Sequence, residues 1–312
     1  MKFILCTFLL IFTTSLNAED LPHTSEPKSI DLWKDHVPGF SKNYQHTPSV
    51  NKDPERITEV NTPQLHIFPA QTKPNGKAII IFPGGSYRIL AYKKEGSTIA
   101  KHFAAQGYCC FVAHYRVSQG NDPSFKFPGP LLDARQSIRI VKSLAAEYQY
   151  SPDEVGIIGF SAGGHLAAMC ATRFNEKFAA EEHLENDDVR PKFAALIYPV
   201  ASMVAPSSHK GSRKALFGDT PAKQDLIAAS PELQVKKGYP PIFIAHNQFD
   251  HIDATLSAAL TEAYTKVKVP CALHLFPMSA HGFGMGRPQD TLKNQPAIIW
   301  PKLLHHFINR GK

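Results

Sequence analysis

The chain has 312 residues, 43% hydrophobic and 20% charged, with Lys and Arg outnumbering Asp and Glu to leave a net charge of +7. That balance describes a globular chain long enough to bury a full core, and it excludes a disordered one. The basic residues are scattered, with no run beyond pairs such as Lys93-Lys94 and Lys236-Lys237, so a solvated surface is expected and nucleic-acid binding is unsupported.

Residues 1–18 read as a secretory signal peptide. Met1-Lys2 supplies a small positive start, Phe3 to Phe12 is a short apolar run, and Ser15-Leu16-Asn17-Ala18 ends on a small residue. The run is too short for a bilayer span, and no later segment is long and apolar enough for one. Cys6 lies inside the run, which argues against a lipoprotein anchor. The expected location is periplasmic or secreted. Beyond the leader stand Cys109, Cys110, Cys170 and Cys271, with no metal-type spacing. Buried free thiols are expected, and one disulfide is compatible with export.

Residues 19–56 are polar and proline-rich, an extended arm anchored by Trp33 and the turn Val37-Pro38-Gly39-Phe40. The domain proper is expected over residues 57–312. Ile57 to Ile67 supports one or two strands. Lys77-Ala78-Ile79-Ile80-Ile81-Phe82 is a continuous apolar strand stopped by Pro83-Gly84-Gly85, and continuous apolarity marks a strand covered on both faces. A helix over Ser97–Gln106 follows, then a strand at Cys109–Ala113 and a helix from about Leu131 to Tyr148. Ser151-Pro152-Asp153 turns the chain into a strand at Val155–Phe160. A helix then starts at Ala162. Strands at Phe193–Tyr198, Pro241–His246 and Ala272–Phe276 alternate with helices near Thr255–Lys266 and Ile298–Asn309. Strands alternating with helices define an α/β fold with a mostly parallel central sheet and helices on both faces. Met203 to Gly238 is a charged insertion between two strands. It is either a wall over a site or a surface excursion.

The densest signal is Gly159-Phe160-Ser161-Ala162-Gly163, a G-x-S-x-G placed between a strand and a helix. A turn that tight raises the Ser161 hydroxyl above the sheet and leaves no room for side chains at its flanking glycines. A serine nucleophile needs donors for an oxyanion. Ala162 offers its N–H at a helix start, and Gly85 and Ser86, in the loop after an earlier strand, are expected to offer theirs. It also needs an acid and then a histidine in chain order. Asp250 follows one strand and His281 the next, so both arise at the edge that carries Ser161. Asp253, three residues along the same loop, rivals Asp250. His165 is expected to pack or bond nearby backbone, and His246 to brace the acid loop. His305 and His306 have no partners at metal-ligand spacing. No metal or organic cofactor is needed for this chemistry.

Several stretches together make the chain resemble the acetylxylan-esterase-like α/β hydrolases, relatives of the small-acyl carboxylesterases. They are Leu32-Trp33 with Val37-Pro38-Gly39, Phe82–Tyr87, Asp133-Ala134-Arg135-Gln136, Gly159–Leu166, Leu216-Phe217-Gly218, Ser230–Leu233 and Ala280-His281-Gly282-Phe283. The resemblance implies the α/β-hydrolase fold, with Ser161 as nucleophile, Asp250 as acid and His281 as base. One departure is Asp250-His251-Ile252-Asp253-Ala254, where the family often has valine and proline soon after the acid. The implied activity is hydrolysis of acetyl or other short acyl esters on plant or algal polysaccharide or oligosaccharide. Ser86, Tyr87 and the charged insertion favour a short acyl group, by placing polar groups beside the oxyanion loop. Competing readings are a prolyl-oligopeptidase-type peptidase, a long-chain lipase and a non-catalytic binding protein on the same fold. The peptidase usually carries a large extra domain before the hydrolase, the lipase an apolar lid, and the binding protein would lack a member of the Ser, Asp, His set.

Overall fold

The computed structural model describes residues 27–34, 36–40, 55–118, 122–181 and 188–309. The expected leader and residues 19–26, 35 and 41–54 of the expected arm lie outside the described residues. The strands are β1 (Ser29–Asp31), β2 (Gln64–Phe68), β3 (Gly76–Phe82), β4 (Cys109–His114), β5 (Tyr150–Phe160), β6 (Ala194–Ile197), β7 (Ile242–Asn247) and β8 (Cys271–Phe276). They form one sheet in the order β1-β2-β4-β3-β5-β6-β7-β8. The β1–β2 and β2–β4 pairs are antiparallel, and every pair from β4 to β8 is parallel.

The continuous apolar runs are explained by burial on both sides. Alternate residues of β3 and β5 point to opposite faces: Ile80, Phe82 and Ile157 join one core, Ile79, Ile81 and Ile158 the other. The first face is covered by α2 (Gly129–Ser143), α3 (Ala162–Arg173) and α6 (Ala254–Lys266), through Ile138, Leu166 and Leu260 among others. The second is covered by α1 (Thr98–Ala104) and α7 (Trp300–Ile308), through Ile99, Phe103, Trp300 and Leu304. This is the α/β-hydrolase architecture expected from the alternation of elements.

Three local departures have physical causes. The helix expected from Ser97 begins earlier, with a π-helical turn over Lys93–Ser97 that buries Glu95. Such turns are uncommon and cluster at functional sites. β5 starts at Tyr150, because Ser151-Pro152-Asp153 passes through a register break opposite Gly76 and Ala78. An irregularity of that kind is where a strand tolerates proline. The insertion is helical, with α4 (Lys210–Phe217) and α5 (Lys223–Ala228).

Residues 27–40 are more than a surface arm. β1 extends the sheet, and Leu32, Trp33, Val37 and Phe40 are buried in the first core. Their anchor is polar. The Trp33 indole N–H donates to Asp133 Oδ1 at 2.8 Å. Arg116 Nε and Nη2 donate to the two Asp133 oxygens at 2.8 Å each, and Nη1 donates to the Pro38 carbonyl at 2.5 Å. Arg116 and Asp133 are fully buried, so this bidentate pair is worth keeping only because nearly every donor is used. The four cysteines among the described residues are free. Three are buried, and burial pushes the Cys109 and Cys170 thiols up to about 12, leaving them inert.

Candidate active site

The site grows from the turn between β5 and α3. Ser161 has φ 52° and ψ −115°, a conformation that ordinary L-residues avoid. Two glycines make it possible. A Cβ on Gly159 would lie 2.1 Å from the Gly163 carbonyl oxygen, and one on Gly163 would lie 2.1 Å from the Phe82 carbonyl oxygen. Neither obstacle is a movable side chain. The strained serine is held by its own backbone: its N–H donates to the Ile197 carbonyl at 2.9 Å, and its carbonyl accepts from His165 and Val200.

The parallel strands carry their C-terminal loops to one sheet edge, and there the predicted residues meet. His281 Nε2 lies 3.0 Å from Ser161 Oγ, and His281 Nδ1 lies 2.8 Å from Asp250 Oδ2. With Nδ1–H donating to the carboxylate, Nε2 is left as the acceptor that faces the serine hydroxyl. Asp253 is elsewhere. It is the N-cap of α6, where its Oδ1 accepts from the Thr255 N–H at 2.9 Å and hydroxyl at 2.6 Å.

Asp250 is crowded by donors. Its Oδ1 accepts from the Ile252 N–H at 2.9 Å and lies 3.3 Å from His251 Nδ1, while His246 Nε2 stands 3.6 Å from Oδ2. Burial alone would push this carboxyl up. Contact with His246 and His281 and the bond from Ile252 outweigh it and hold Asp250 well below the usual carboxylate range. His246 braces the loop as expected, its other nitrogen 2.9 Å from Ser257 Oγ on α6. Asn247 Nδ2 donates to the Ala280 carbonyl at 2.6 Å, tying the end of β7 to the histidine loop. Asp250, His251 and His281 bring three ligand atoms within 4.8 Å of one another. Two of those three, Asp250 and His281, are already hydrogen-bonded to each other.

Beyond β3 the loop turns sharply, with Gly85 at φ 136° and Ser86 and Tyr87 at φ 59° and 58°. Among the described residues neither the Gly85 nor the Ser86 N–H meets an acceptor. Ala162 is the first residue of α3, so its N–H has no acceptor within the helix. Tyr87 departs from expectation. Its ring is buried, and its hydroxyl lies 2.7 Å from His165 Nδ1, so it offers nothing polar to a substrate. His165 Nε2 in turn lies 2.7 Å from the Ala229 carbonyl, and burial drives the imidazole down to about 4, so it stays neutral and structural. The polar rim comes from residues the sequence reading passed over. His251 stacks edge-on to His281 at 4.7 Å, and His209, from the insertion, lies 6.4 Å from His251. Arg88, the next residue after Tyr87, shares a recess of about 250 Å³ with Lys126, Lys214, Gly218 and Asp219. The insertion therefore brings His209 near the histidines of the site.

A sheet of this topology with a Ser–His–Asp line at its C-terminal edge is the arrangement of the α/β-hydrolase class, and esterases are among its relatives. The chain belongs to the BD-FAE family, whose match spans residues 65–264 and so includes Ser161 and Asp250. It is 32% identical over 218 residues, 68% of its length, to an acetylxylan esterase of Xylanibacter ruminicola. It is 28% identical over 275 residues, 81% of its length, to endo-1,4-beta-xylanase B of Butyrivibrio fibrisolvens. In both cases the match covers 42% of the relative's own length. The solved acetyl ester-xyloside bifunctional hydrolase of Caldicellulosiruptor lactoaceticus superposes with a TM-score of 0.72 at 28% identity, covering 92% of this chain and 98% of that one.

The two loop aspartates separate cleanly by mutation. Asp250→Asn should lower kcat on an activated ester by on the order of 10⁴, because the amide no longer fixes the His281 tautomer. Asp253→Asn should stay near wild type, since asparagine caps a helix about as well as aspartate. Steady-state rates of the two variants with p-nitrophenyl acetate check this. A larger loss at Asp253 would contradict the site geometry.

Proposed function

We propose that the protein is an exported serine esterase that removes acetyl or similarly short acyl groups from polysaccharide or oligosaccharide. The observation that carries the reading is the hydrogen-bonded line from Ser161 Oγ through His281 to Asp250, beside unpartnered backbone N–H groups. Ser161 Oγ attacks the ester carbonyl while His281 Nε2 takes its proton. Asp250 holds the imidazole and stabilises its charged form. The carbonyl oxygen becomes an oxyanion, for which the N–H groups of Gly85, Ser86 and Ala162 are the proposed donors. Collapse expels the alcohol, protonated by His281. A water deprotonated by the same imidazole then releases the acid and restores Ser161.

The sugar side rests on the relatives, an acetylxylan esterase, an endo-1,4-beta-xylanase and an acetyl ester-xyloside bifunctional hydrolase. It rests also on a rim of His209, His251 and Arg88, polar groups suited to hydroxyl-rich substrates. Each methylene buried in a true tail groove would contribute about 0.8 kcal/mol, so chain length discriminates strongly.

With p-nitrophenyl esters held below micelle-forming concentrations, kcat/KM should be highest at acetate or propionate and fall by octanoate. Acetate release from acetylated xylo-oligosaccharides should accompany it, and Ser161→Ala should abolish both. A maximum at octanoate or beyond would point to a lipase-like groove instead. Export is supported by the Met1-Lys2 start, the apolar run and Ala18. Protein recovered from outside the cytoplasm should therefore begin at Glu19, and a recovered chain beginning at Met1 would refute cleavage there.

A further inference from the structure

Glu95 is a buried carboxyl that the ester chemistry above does not use, and it lies between the loop after β3 and the loop after β8. Its Oε2 accepts from the Gly84 N–H at 2.8 Å, one residue before the oxyanion turn. Its Oε1 accepts from the Tyr198 hydroxyl at 2.9 Å. The Tyr198 oxygen accepts in turn from the Gly284 N–H at 3.1 Å, three residues after His281. Distances to absent side chains tell the same story. A Cβ on Gly84 would lie 2.7 Å from Glu95 Oε2 and 2.9 Å from Ser161 Cβ, and one on Gly282 would lie 3.8 Å from Glu95 Oε1.

The Gly84 and Gly284 N–H groups can only donate, and with the Tyr198 hydroxyl donating to Oε1 both Glu95 oxygens act as acceptors. Two acceptor oxygens are what an ionised carboxylate supplies and what an amide cannot. Tyr198 is held in a position it would not choose, at φ 40° for an aromatic residue, with its ring 4.9 Å from that of His281. The turn that presents Glu95 is the π-helical turn over Lys93–Ser97. Entry to the oxyanion loop is pinned a second time by the Tyr115 hydroxyl, which donates to the Pro83 carbonyl at 2.5 Å.

We infer that Glu95 is a positioning residue for hydrolysis, joining the oxyanion loop to the histidine loop through Tyr198 and placing a second carboxylate behind His281. It holds Gly85 and Ser86 in register with Ser161 and favours the charged imidazole that forms as the serine is deprotonated. The groups that face it are Tyr198 at the end of β6, Tyr115 after β4, Lys94 on its own turn, and His281 and the Gly284 N–H from the loop after β8. Burial raises the carboxyl above its ordinary value, and the bonds from Tyr198 and Gly84 and the charges of His281 and Lys94 offset that rise only in part. The inference rests on the serine-ester chemistry of the site and is independent of the sugar.

Two nearly isosteric variants test it with p-nitrophenyl acetate. Tyr198→Phe removes the relay without changing volume and should lower kcat about tenfold with KM within about twofold, the pattern of an interaction needed in the transition state. Glu95→Gln should lower kcat similarly, again with KM within about twofold, because the amide offers one acceptor oxygen where two donors converge. Wild-type kcat in folded Tyr198→Phe would overturn the inference, and so would a loss in either variant that falls on KM rather than kcat. If Glu95→Gln fails to fold, Tyr198→Phe decides alone. A wild-type enzyme inert toward p-nitrophenyl acetate would instead strike at the esterase reading itself.

Discussion

Everything at the sheet edge depends on how closely two chain crossings approach each other. The carbonyls that end β3 and the first turn of α3 come so near that Gly163 has no space for a methyl group, and Gly159 is closed in by the Gly163 carbonyl. Under that constraint the β5–α3 turn must be short, and Ser161 must take φ 52°. Strain of this kind costs about 1–3 kcal/mol and persists only where the surroundings fix it. Here the fixing bonds come from β6 and from the loop after it, so the fold supplies the restraint. The same closeness puts the oxyanion loop within reach of the serine hydroxyl. One packing contact thus sets both the candidate nucleophile and its candidate anion site.

A second layer of restraint is polar and buried. Asp250 accepts from a backbone N–H and from the His281 imidazole, with two further histidines around it. Arg116 and Asp133 lock residues 33–38 against the sheet. Glu95 and Tyr198 span two loops. Each of these groups would be destabilising alone in an apolar interior and becomes tolerable only because its partners are in place. Buried networks of this kind fix loop positions more tightly than apolar packing does, which is what aligned hydrogen bonds at a reacting serine require.

Much of this was legible in the sequence because the relevant signals are local. Apolar runs of strand length and the glycines around Ser161 report on their immediate surroundings, and the strand ends place Ser161, Asp250 and His281 on one edge. The choice between Asp250 and Asp253 was also locally available. Asp253 precedes Ala254-Thr255 at the start of α6, so it reads as a helix cap, and a capping aspartate is occupied. Tyr87 was misread because its hydroxyl partner, His165, lies in a different element, and no local pattern reports that bond. Glu95, Tyr198, His209 and His251 were passed over for the same reason. Their roles exist only through contacts between residues far apart in the chain, and the π-helical turn that buries Glu95 has no hydrophobic period to announce it.

The most direct test of the account is chemical trapping at the strained turn. Wild-type protein treated with a fluorophosphonate should gain the mass of a single adduct, and peptide mapping should place it on Ser161 with activity lost in proportion. His281→Ala, folded but without the base, should label far more slowly. Stoichiometric labelling at another residue would contradict the claim that the β5–α3 turn presents the nucleophile, as would an active enzyme that resists labelling.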